Sequence, residues 1–113
     1  MKTIPIPLYG GRLIVAKNQA EFDRAYDRLL VDEGLQRSDE PVSMCSLSGL
    51  TSHAICDGVL VIVSGAFNRR GSTRCHEAVH CAQAVAEAIN MNPLLEQEAF
   101  AYLTEWFYEE LVP

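Results

Sequence analysis

At 113 residues the chain has room for one hydrophobic core and is expected to form a single domain over 1–113. It is 49% hydrophobic and 21% charged with 7 Gly and 5 Pro, a globular mixture that excludes a disordered or collagen-like chain. The net charge of -6 argues against nucleic-acid binding, which needs a basic face, and Lys2 and Lys17 alone make no polybasic patch for a membrane surface.

Taken in chain order, Met1–Gly11 reads as an extended lead-in, because Pro5 and Pro7 forbid helix. Its apolar stretch is short and broken, which does not fit a signal peptide. Leu13-Ile14-Val15 suggests a short strand. Asn18 can cap a helix over 19–34, where Ala20, Phe22, Ala25, Tyr26, Leu29 and Leu30 recur at helical spacing and Gly34 is the stop. Residues 35–44 form a polar connection containing Pro41. Two strand-like runs, about 47–56 and 59–64, flank Asp57-Gly58, a dipeptide suited to a two-residue hairpin turn. The longest apolar run, Val59 to Val63, is too short to span a bilayer, so the expected compartment is a cytoplasm. A loop carrying Arg69 and Arg70 leads to a helix from Ser72 or Thr73 to about Ile89. After Asn90-Met91-Asn92, Pro93 can open a last helix to about Leu111. The expected fold is α+β, a small sheet with a hairpin packed on about three helices. The cysteines at 45, 56, 75 and 81 form no Cys-x-x-Cys pair, and are expected to be free thiols used as small packing residues.

His76-Glu77-Ala78-Val79-His80 places a His-Glu-x-x-His motif inside the helix over 73–89. Residues four apart share a helix face, so two imidazoles can meet one ion, and zinc takes neutral imidazole nitrogen readily. Glu77 then sits beside the metal, where a carboxylate can take a proton from water and return it to a leaving amine. A catalytic zinc needs a third protein ligand. The extended motif with Gly and His further along the helix is absent, since those positions hold Gln83 and Ala86. Glu96 and Glu98 at the start of the last helix both compete for the role. At about 100° per residue Glu96 falls inside the stripe of Phe100, Leu103 and Phe107, and Glu98, one turn below Tyr102, is expected to lie at the rim of the core. A tight connection at 90–93 would bring either one back towards the His pair.

His-Glu-Ala-Val-His followed by Glu-Gln-Glu-Ala-Phe-Ala-Tyr resembles small zincin-like metallopeptidase-type proteins of tailed phages and prophages, over roughly residues 59–108. It is also similar, more loosely, to zincins that use two His and a Glu. The resemblance implies a minimal zincin-like domain with its active-site helix over about 73–89 and its ligand helix over about 93–111. It implies Zn2+ held by His76, His80 and Glu98, with Glu77 as general base. It implies a peptide or protein substrate in a host cytoplasm, and a cleft bordered by the strand at 59–64, to which an extended peptide could add.

The same domain could instead work by binding, as a phage assembly component, virion-associated or otherwise, or as a ligand of a host protein. A third reading has no metal at all, the motif being coincidence. Among the remaining residues, Tyr102 could orient Glu98 or donate to an oxyanion, or could be core. His53 reads as a surface residue of a strand. Arg69, Arg70 and Arg74 read as a solvated face or as a site for an acidic partner near the cleft. Trp106 and Tyr108 are apolar residues left over for docking a second copy or a larger assembly.

Overall fold

The computed structural model describes residues 1–32 and 48–112. The polar connection over 35–44, the Gly34 stop and Cys45 lie outside the described residues. The elements are β1 (Lys2–Pro5), β2 (Arg12–Val15), α1 (Gln19–Asp32), β3 (Gly49–Cys56), β4 (Val59–Ala66), α2 (Gly71–Ala88) and α3 (Gln97–Glu110). The four strands make one mixed sheet in the order β1-β2-β4-β3. β1 and β3 run antiparallel to their neighbours and β2 runs parallel to β4. The result is the α+β domain expected from the sequence.

Two clusters of side chains show how the layers stack. Val61 and Val63 pack with Phe22, Ala25 and Leu29 of α1 on one face of the sheet. Leu13, Val15, Leu60 and Ile62 pack with Ala78, Cys81, Ala82 and Val85 of α2 and with Leu103 and Phe107 of α3 on the other. β4 is therefore covered on both faces, which is why Val59 to Val63 reads as a continuous apolar run instead of an alternation.

Local chemistry sets the element ends. At the hairpin, Asp57 and Gly58 have φ of 51° and 77°, the pair of positive values that a type I′ turn requires, and Cys56 pairs with Val59 across it. The Asn18 side chain accepts from the Glu21 N–H at 2.9 Å, and the Glu21 carboxylate accepts from the Lys17 N–H at 3.1 Å. That second bond holds the Glu21 carboxyl below its ordinary value. Asn18→Ala is expected to cost about 1 kcal/mol in a urea unfolding titration, the usual worth of such a cap. α2 ends with Asn90 in the left-handed region at φ 57°. The Met91 N–H bonds the Ala86 carbonyl and the Asn90 N–H bonds the Glu87 carbonyl, a Schellman arrangement.

Four expectations need correction. The lead-in is not merely extended, since Lys2–Pro5 pairs with β2 as an edge strand. An edge strand can accept Pro5 because a missing N–H need not face a neighbour. The last helix is shorter than 93–111: Asn92-Pro93 opens a turn in which the Leu95 and Glu96 N–H groups return to the Asn92 carbonyl, and α3 begins only at Gln97. Both edges of β4 are paired, so the strand at 59–64 has no free edge for a peptide, and β3 is the outermost strand on that side among the described residues. Trp106 and Tyr108 are not spare docking residues, because both pack against the core and Tyr108 lies under the Arg74 guanidinium at 4.0 Å. No helix among the described residues is long and apolar enough to cross a membrane.

Candidate metal and acid-base site

His76 and His80, one turn apart on α2, are both exposed, and their Nε2 atoms lie 3.2 Å apart. The rings meet edge to face with centroids 4.7 Å apart. Two imidazole nitrogens sharing a tetrahedral zinc at about 2.05 Å each would stand about 3.3 Å apart. The two rotamers thus already converge on one point. Gln83 lies one turn on, with its Oε1 3.2 Å from Nδ1 of His80. If the amide oxygen accepts from Nδ1, Nε2 of His80 carries the lone pair and Nε2 of His76 donates across the 3.2 Å contact.

Glu77 turns inward to the sheet and is only 5% exposed. The Thr51 hydroxyl donates to its Oε1 at 2.7 Å. Thr51 is the cross-strand partner of Ser64, their hydroxyl oxygens are 2.7 Å apart, and Ser64 Oγ lies 3.2 Å from the Leu50 carbonyl. Each hydroxyl has a single proton, so this chain runs in one direction at a time. With Glu77 ionised, Ser64 donates to Thr51 and Thr51 to Glu77. With Glu77 protonated, the direction reverses and ends on the Leu50 carbonyl. Either form of the carboxyl group keeps a hydrogen bond, which a buried proton carrier requires.

Glycine at 49 makes room for this arrangement. A Cβ there would lie 2.8 Å from the Gly65 carbonyl oxygen and 3.1 Å from Cγ of Glu77. His76 and Glu77, together with Ser48, Gly49, Ser72 and Thr73, line an open cleft of about 460 Å3 between the start of β3 and the first turns of α2.

Cys81, one turn after Glu77, is buried against the same hydroxyls. Burial pushes its thiol from 9.0 up to about 12, against the smaller opposing effect of hydrogen bonds from Ser64 and Thr51. Its burial and raised value fit a packing residue. Iodoacetamide is expected to modify exposed Cys75 in the native protein and Cys81 only after unfolding, as peptide mass spectrometry would show. The folded value exceeds the unfolded one, so the contribution of the protonated thiol is complete below pH 9 and is lost as pH rises towards 12.

The sequence-derived site is assembled in part. His76 and His80 are together and Glu77 lines the same cleft as His76. Glu98 is not brought to the pair: among the described residues, no three His, Cys, Asp or Glu side chains are grouped to hold a metal ion. The physical reason is rotation about α3. The helical wheel puts Glu98 about 160° from the centre of the Leu103–Phe107 face by which α3 meets the core, not at the edge of that stripe as expected, and it is exposed. Glu96 is the residue before the helix and is exposed too, outside the stripe in which a helix begun at Pro93 would have placed it. The connection is also longer than a tight turn at 90–93, running from Ile89 to Glu96. Tyr102 is 46% exposed and does not line the cleft, and His53 is exposed on β3.

Thr51, Ser64, Gln83 and Gly49 belong to the site without having been read from the sequence. Gln83 had a signal, its spacing of three from His80 on a helix. Thr51 and Ser64 had one in the hairpin: counting back five residues on each strand from Cys56 and Val59 pairs them. No family model matches the chain, and comparison with curated proteins and with solved structures likewise finds no match.

Proposed function

We propose that the protein is a zinc-dependent hydrolase acting on peptide bonds. The observation that carries this reading is the convergence of the His76 and His80 Nε2 atoms at 3.2 Å, beside a cleft whose inner wall is a buried carboxylate tethered by a hydroxyl. The His pair fits zinc in donor type and spacing. Glu98, the third ligand implied by the resemblance to phage zincin-like proteins, stands apart here, and its role stays part of the proposal.

Bound at the His pair, zinc supplies Lewis-acid polarisation of a carbonyl and a more acidic water. The chain's own residues do the rest. Glu77 takes a proton from the attacking water and returns it to the leaving amine. Thr51 holds the carboxylate against β3 while the hydroxyl chain reverses to follow the proton. The outer edge of β3, which starts at the cleft, offers main-chain groups to an extended peptide. The small cleft suits a narrow range of substrates.

One observation favours the second reading, a domain of this kind that binds a phage or host protein without cleaving it: no third ligand is assembled among the described residues. Metal analysis of the purified protein beside His80→Ala tests the first reading. About one zinc per chain in the wild type and none in the variant is expected. Absence of zinc from the wild type after zinc is supplied would overturn it.

A further inference from the structure

α2 carries a bare polar stripe on its outer side. His76, His80, Gln83 and Glu87 are all exposed and lie within about 60° of one another round the helix. Their steps of four, three and four are those of a helix-pairing seam. We propose that α2 of a second copy packs antiparallel along this seam, and that Glu87 of each copy is the third zinc ligand of the other. The inference rests on zinc being held by the His pair. It gives the third position, which Glu98 does not reach in the single chain, to a residue from outside that chain.

Two imidazole nitrogens converge at 3.2 Å, and among the described residues no third His, Cys, Asp or Glu joins them. A catalytic zinc needs that third ligand and one open position. Both histidines stand on an exposed helix face, so the missing ligand can come from another molecule.

Glu87 is placed against local preference. It stands in the last turn of α2, where the helix dipole disfavours a negative charge, and no basic residue shares that turn. Its carboxylate takes part in no ion pair among the described residues. A cation held by a second copy supplies the partner that the single chain does not.

Symmetry and charge set the register. Two copies of one helix pair about a two-fold axis. With that axis between Cys81 and Ala82, His76 faces Glu87 of the second copy and His80 faces its Gln83. The two carboxylates then stand at opposite ends of the seam. A parallel pairing would set Glu87 against Glu87, like charge against like. The seam is polar and each chain has a net charge of -6, so the pairing depends on the ions. Each zinc then has three protein donors and keeps a fourth position open.

The test is mass by sedimentation velocity beside zinc content, in zinc-buffered solution and after chelation. The wild type is expected as a dimer with about one zinc per chain, and as a monomer once zinc is removed. Glu87→Gln changes an exposed residue, so the fold should be kept. This variant is expected to stay monomeric and to bind zinc about tenfold or more weaker, since even a supporting group costs a metal site that much. Glu98→Gln should leave mass and affinity at wild-type values. The decisive sample mixes Glu87→Gln with His80→Ala. Neither builds a complete site with itself, whereas one chain of each brings the two histidines of the first to Glu87 of the second. The mixture is expected to form dimers with about one zinc per pair. A wild-type monomer with one zinc per chain would overturn the proposal and leave the hydrolase reading standing. Half a zinc per chain in the dimer, a Glu87→Gln variant that pairs and binds as the wild type does, or a mixture that restores no site would each overturn the proposal as well. No zinc in the wild type would overturn both.

Discussion

Glu77→Gln is expected to lower peptide hydrolysis by about 10²–10⁴-fold, the usual contribution of a general acid-base group, while zinc content stays at the wild-type level. In energy this is a loss of roughly 3–5 kcal/mol of transition-state stabilisation. The substitution is nearly isosteric, and an amide oxygen can accept the Thr51 hydroxyl as the carboxylate does at 2.7 Å. Packing beside Gly49 is therefore kept, and the fold should be too. What is lost is a group able to carry a proton. Zinc should be retained because the converging donors are the two exposed imidazoles, and Glu77, buried and bonded to Thr51, is not one of them. Steady-state cleavage of a peptide library and metal analysis of the same samples read both quantities. Cleavage that survives the substitution at the wild-type rate would remove Glu77 from the mechanism. Partner binding without any cleavage, unchanged by the substitution, would favour the binding reading.

The half of this site that lies on one helix was legible in the sequence. His76, Glu77 and His80 have fixed angular relations once α2 is a helix, so their directions follow from spacing alone. The hairpin was legible for a similar reason, since Asp57-Gly58 dictates turn type and register together. Relations between elements were harder. Whether Glu98 meets the His pair depends on where α3 begins and how it is rotated against α2. A start at Pro93 differs from the actual start at Gln97 by about one full turn of connection. Asn92 and Pro93 carry a helix-start signal that is spent on an isolated turn. The position of β4 was hidden likewise. Its apolar run signals burial on two faces but does not say which strands flank it, and β1, with its two prolines nearby, gave no sign of completing the sheet on the β2 side.

Zinc loading should raise the melting temperature, and the size of the rise distinguishes a three-ligand site from a bare His pair. A site filled at a thousand times its dissociation constant stabilises the native state by about 4 kcal/mol. For a domain of this length that corresponds to roughly 15 °C. Two imidazoles alone hold the ion much more weakly, so at the same free zinc the rise would be a few degrees at most. His80→Ala should abolish the rise in either case, because a single imidazole on an exposed helix face is left. Glu98→Gln separates the cases: if the carboxylate is drawn to the His pair when zinc binds, the variant loses most of the rise, and Glu96→Gln does not. Such a movement would have to reopen the turn in which the Leu95 and Glu96 N–H groups bond the Asn92 carbonyl. A rise of the full size that survives both substitutions would place the third ligand elsewhere in the chain. Scanning calorimetry in zinc-buffered solution, repeated with a chelator, supplies the measurement.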